Sequence, residues 1–115
     1  MEIIRERITK GRLREKYLNY FKTLIKAVVD LENCVMCIDG ELHADLEGYL
    51  LENGSRQEDI WGINLYPFKE KEDFIEYTAL INIRPHQNNY SMEIKDRGIR
   101  ERIRKITEEL IDYES

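Results

Sequence analysis

Leu13, Tyr17, Tyr20 and Leu24 recur at spacings of four, three and four, and Leu18, Phe21 and Ile25 widen the stripe. That period predicts an amphipathic helix over residues 10–22, with Thr9 as its N-cap. Residues 26–31 are β-branched enough for a strand, although the helix could run into them. Residues 34–38 form a short apolar run, and Asp39-Gly40 follows, a dipeptide suited to a two-residue hairpin turn. From Glu41 to Glu47 polar and apolar residues alternate without a miss. A strand there places Glu41, His43, Asp45 and Glu47 on one face. Asn53-Gly54 offers a second turn of the same kind, leading into a strand over residues 57–66 that Pro67 ends.

The two turns agree on one register. A hairpin at Asn53-Gly54 sets Leu46 against Trp61, Ala44 against Ile63 and Leu42 against Leu65, while His43 faces Asn64. Asp39-Gly40 in turn sets Leu42 against Cys37 and Ala44 against Val35. A competing pattern exists: Leu42, Leu46 and Leu50 also fit helical spacing, with Gly54 as the residue just past a helix end. The shared register favours the strand.

Residues 74–84 alternate again, with Ile75, Tyr77, Ala79, Ile81 and Ile83 on one side and Glu76, Thr78, Asn82 and Arg84 on the other. Pro85 stops that run, and residues 86–90 form a polar loop. Asp96 suits the N-cap of a last helix buried along Ile99, Ile103, Ile106 and Leu110. Glu101–Lys105, Arg104–Glu108 and Lys105–Glu109 stand at i,i+4 on its outer side. The expected fold is α+β: an antiparallel meander of four to five strands, with an N-terminal and a C-terminal helix packed on one face. The other face stays open and carries Glu41, His43, Asp45, Asn64, Asn82 and Arg84.

A chain of 115 residues makes one domain, residues 1–115, with a core of its own. No apolar run approaches the ~20 residues of a membrane span. The charged start, Met1 to Arg7, does not read as a signal peptide, so a cytoplasmic protein is expected. Net charge is −5, unevenly spread. Residues 1–26 hold eight Lys/Arg against three Asp/Glu, residues 27–80 hold three against thirteen, and residues 81–115 balance. The acidic middle argues against nucleic acid crossing that surface, and the segregation favours contacts within the fold or between copies.

Cys34 and Cys37 have a zinc-pair spacing, but a strand sends residues three apart to opposite faces, and a closed zinc site needs four converging ligands. Neither a metal site nor a cofactor is expected. The chain holds no nucleophile elbow, zincin helix, P-loop or dinucleotide fingerprint. Met36 and Ile38 share the side of the polar residues, so that face is expected to be covered at one end, as a cleft floor or half of an interface.

Several strings resemble one family. They are Glu41-Leu-His-Ala-Asp-Leu-Glu47, Asn53-Gly-Ser-Arg-Gln-Glu-Asp-Ile-Trp-Gly-Ile-Asn-Leu-Tyr-Pro67, Ala79-Leu-Ile-Asn-Ile-Arg-Pro85, and Ser91-Met-Glu-Ile94 before the Arg-rich helix. Together, over about residues 26–106, the chain resembles a family of small single-domain bacterial and archaeal proteins of unknown function. The resemblance implies a stand-alone domain and brings no activity, substrate or cofactor.

The leading expectation is a non-enzymatic module. It binds a protein or small-molecule partner, or a second copy as a homo-oligomer, through the mixed sheet face. The alternative is a small metal-dependent or acid–base enzyme. There His43 acts as base or ligand, Asp45 as ligand or orienter, and Arg84 completes the catalytic set by contacting the substrate, while Glu41, Glu47, Asn64, Asn82 and Gln87 contact the bound molecule.

Overall fold

The computed structural model describes residues 1–113. Its centre is a five-stranded antiparallel sheet built from β1 (Glu2–Ile4), β3 (Ile25–Asp30), β4 (Val35–Ile38), β5 (Ile60–Leu65) and β6 (Ile75–Glu76), in the order β1-β4-β3-β5-β6. A separate two-residue parallel pair joins β2 (Ile8–Thr9) to β7 (Ile111–Asp112), tying the start of the chain to the end of its last helix. The helices are α1 (Lys10–Lys16), α2 (His43–Glu52) and α3 (Arg97–Leu110).

Both terminal helices lie on the same side of the sheet, as the pattern predicts. Ala27, Val29, Met36, Ile38, Trp61 and Ile63 meet Leu13 and Tyr17 of α1 and Ile103, Ile106 and Leu110 of α3 there. Asp96 caps α3 by accepting from the Ile99 N–H at 3.0 Å. Thr9 caps α1 through the Arg12 N–H. That helix ends six residues earlier than its stripe suggests. Asn19 donates its side-chain amide to the carbonyl of Lys16 and is held by Asp39, which bends the chain away and frees Phe21 and Leu24 from the helix.

The main departure lies at residues 41–52. They do not form a strand, and neither Asp39-Gly40 nor Asn53-Gly54 makes a hairpin. Residues 43–52 are helical, and Gly54 takes φ 99° just beyond the C-cap. The Ser55 N–H reaches the Leu50 carbonyl at 3.0 Å and the Gly54 N–H reaches that of Leu51 at 3.3 Å, the paired bonds of a Schellman end. The expected contacts of Leu46 with Trp61, Ala44 with Ile63 and Leu42 with Leu65 therefore do not form. The partner of β5 is β3, in the register Ala27–Ile63, Val28–Gly62 and Val29–Trp61.

The reason is burial on the second side of the sheet. Val28, Val35, Cys37 and Ile60 make that side apolar, and Leu46 and Leu50, four apart on one helix face, cover them. The face expected to stay open is thus largely closed by α2. A second expectation also fails: of the run 74–84 only Ile75–Glu76 is strand, and Leu80–Asn82 turns as a short 3-10 helix.

Candidate functional site

Strand alternation sends Lys26, Val28 and Asp30 toward α2, and with them Ile60, Gly62 and Asn64. Helix α2 covers the middle of this surface but begins only at His43, so one end is left uncovered. Lys26, Asn64 and Glu76 lie there in a row, paired across β3, β5 and β6. They form the floor of a cleft of about 590 Å³. Phe21, Leu24, Leu42, Leu80, Ile81 and Met92 supply most of its walls. Leu42, Leu80 and Met92 are among the exposed large apolar residues of the chain.

His43, the first residue of α2, is buried at the edge of this floor, with Nε2 2.8 Å from the Ile63 carbonyl oxygen. A carbonyl only accepts, so Nε2 carries the proton. Burial pulls the pKa of His43 below its usual 6.5, and the nearby Lys26 ammonium pulls the same way, against the Ile63 bond, Asn64 and Glu76. The ring is neutral at neutral pH, and its Nδ1 then holds a lone pair.

Asn64 is fixed as firmly. Its Nδ2 donates to Glu76 Oε1 at 2.7 Å and to the Thr78 carbonyl at 3.2 Å. Both partners are acceptors, so the amide has one favourable orientation. Tyr66 donates its hydroxyl to the same Glu76 oxygen at 3.0 Å. Asn64 Oδ1 is the exception. Among the described residues it is a buried side-chain oxygen on which no donor is aligned.

The structure brings together only some of the residues singled out from the sequence. His43 and Asn64 share the cleft. Glu41 and Asp45 line a separate, smaller depression beside Met1, Tyr20 and Tyr49. Arg84 is buried elsewhere, 4.6 Å from the Trp61 ring, and donates to Glu47 at 3.2 Å, to Gln87 at 3.4 Å and to the Gln57 and Ile81 carbonyls. Glu47 and Gln87 thus belong to a structural network. Asn82 is also buried, with its amide on the backbone of Gly62. Cys37 lies under α2, where burial pushes its thiol up to about 11, while Cys34 is exposed.

Sequence reasoning missed Lys26, Tyr66, Glu76 and the apolar walls. Glu76 and Thr78 stood on the polar side of the 74–84 pattern, which was the available signal. Phe21 and Leu24 were hidden by their fit to a helical stripe.

The fold and cleft define a class: a small α+β protein with an antiparallel sheet and, among the described residues, no helix long and apolar enough to cross a membrane. Residues 2–110 match the family described as Protein of unknown function (DUF5674), and the chain belongs to that family. No curated protein and no solved structure matches the chain.

Proposed function

We propose that this protein is a binding module for a small, largely apolar molecule lodged in the cleft between the start of α2 and the Lys26–Asn64–Glu76 row. The observation that carries this reading is the cleft itself, where the exposed apolar side chains of Leu42, Leu80 and Met92 gather around one hollow of about 590 Å³. Volume supports the reading too, since ligand clefts run about 300–1,000 Å³. So does composition: mostly apolar walls with a few fixed polar groups are what small-molecule sites share. The expected acid–base set does not assemble around His43, because Asp45 and Arg84 lie against other surfaces.

The test is a screen of small apolar compounds by amide chemical shifts, with Ala44→Trp as the control. Ala44 is exposed at the cleft rim, so the larger side chain fills the site with little strain on the fold. Shifts grouped on residues 43–44, 64 and 78–81, and abolished by Ala44→Trp, are expected. Shifts that are absent, or unchanged in the variant, contradict the reading.

A further inference from the structure

Resting on that reading, we infer that the cleft takes a zwitterionic amino acid with an apolar side chain, its carboxylate on Lys26, its ammonium on Glu76 and its side chain among Leu42, Leu80 and Met92. Strand register sets Lys26 beside Asn64 and Asn64 beside Glu76. Two opposite charges thus stand two strand spacings apart on one floor, about 10 Å between backbones. The middle of the row is already committed. Asn64 Nδ2 donates to Glu76 and to the Thr78 carbonyl, and His43 Nε2 donates to the Ile63 carbonyl. The ends are not. The Lys26 ammonium lies 4.9 Å from the Phe21 ring and has no carboxylate partner among the described residues. Glu76 receives the Asn64 amide and the Tyr66 hydroxyl on Oε1, and its Oε2 has no partner among the described residues. Both charges bear on the His43 ring between them, Lys26 lowering its pKa and Glu76 raising it.

This pair of charges narrows the ligand class. An anion satisfies Lys26 and is repelled by Glu76, and a cation does the reverse. A neutral apolar body takes water from both charges and returns nothing to either. A zwitterion answers each charge with its opposite, through charge-assisted hydrogen bonds at both ends. Reach fits as well: an amino-acid head group bonded at each end fills a gap of about 8 Å between ammonium and carboxylate, within what the long Lys26 and Glu76 side chains can leave. Thr78 lines the cleft too, and its hydroxyl can donate to the ligand's carboxylate or accept from its ammonium. A residue inside a peptide carries neither charge, so the free amino acid is the form that fits.

Phenylalanine and three analogues test this by calorimetric titration. Phenylethylamine lacks the carboxylate, 3-phenylpropanoate lacks the ammonium, and 3-phenylpropanamide carries neither charge. Phenylalanine should bind about tenfold or more tightly than each, since a site built around polar contacts rejects the analogue that lacks one. Lys26→Met should bring phenylalanine within about twofold of phenylethylamine, and Glu76→Gln should bring it within about threefold of 3-phenylpropanoate. Both replacements keep the length of the side chain, and the glutamine keeps an acceptor for Asn64 and Tyr66. Ala44→Trp should abolish all binding. Equal binding of the four compounds by the wild-type protein, lost in Ala44→Trp, overturns the zwitterion requirement and leaves the binding reading standing. Failure of phenylalanine to bind overturns the inference, while the shift screen with apolar compounds decides the reading separately. A preference for phenylalanine that survives both Lys26→Met and Glu76→Gln contradicts the assignment to these two residues.

Discussion

Asn82 meets Gly62 as one more strand residue would. Its Oδ1 accepts the Gly62 N–H at 2.8 Å and its Nδ2 donates to the Gly62 carbonyl at 2.9 Å. A primary amide offers one acceptor and one donor, the same pair a peptide group presents. Strand β6 is too short to reach Gly62, and Asn82 takes up the ladder in its place. Asn82→Leu leaves both backbone groups buried without partners, so unfolding by urea should show a loss of about 2–4 kcal/mol. Gly62→Ala should also destabilise, because a Cβ there sits 2.5 Å from that of Ala79.

Arg84 and Trp61 give a second prediction. The guanidinium is almost fully buried and holds four acceptors from three segments, and Glu47 is its only anionic partner among the described residues. Burial lowers its pKa and Glu47 raises it. Arg84→Met should cost about 3–5 kcal/mol, because a mostly buried carboxylate loses its counter-charge. Adding Glu47→Leu should restore part of that loss, and a double-mutant cycle measures the coupling. Arg84→Lys should still destabilise, since an ammonium cannot reproduce the fork or lie flat on Trp61.

Strands β4 and β5 and the last helix were legible in the sequence because their patterns had one reading. Ile99, Ile103, Ile106 and Leu110 fit only a helix, and Asp96 marks its start. Residues 41–52 fit two. Strict alternation in Glu41–Glu47 and the Leu42–Leu46–Leu50 spacing share the same apolar positions, and Asn53-Gly54 serves both a hairpin and a Schellman end. The deciding fact is non-local: Val35 and Cys37 turn their side chains away from the main core, so a layer must cover them, and α2 does. His43 and Asn64 ended up in one site although the hairpin that suggested it does not exist. Here β3, rather than residues 41–47, lies beside β5, and His43 reaches it from the start of a helix.

Two buried titratable groups predict how stability responds to acid. Asp30 accepts from the backbone N–H groups of Glu32 and Asn33 at 2.9 Å, from the Asn33 amide and from the Ser55 hydroxyl. Burial alone would raise its pKa, but these bonds together hold it below 3.8. A depressed carboxyl contributes stability that is present above its unfolded pKa and lost as pH falls through the folded one. Asp30→Ala should therefore destabilise by about 2–3 kcal/mol at pH 7, and its deficit should shrink in strongly acidic buffer.

His43 acts in a higher window. Its folded pKa lies below 6.5, so the unfolded chain takes up the proton first. The resulting stability is complete above about pH 6.5 and declines as pH falls toward the folded pKa. Chemical unfolding between pH 7 and pH 5 should show this decline in the wild-type protein and a flatter profile in His43→Phe.

The most direct measurement is a long-range proton–nitrogen NMR spectrum of the imidazole rings at neutral pH, with and without a compound that the amide-shift screen finds in the cleft. His43 should appear as the neutral ring with its proton on Nε2, and its ring signals should move when that compound is added. A ring protonated on Nδ1, or a His43 spectrum indifferent to that compound at concentrations that perturb the Asn64 amide, would contradict the placement of the ligand beside His43.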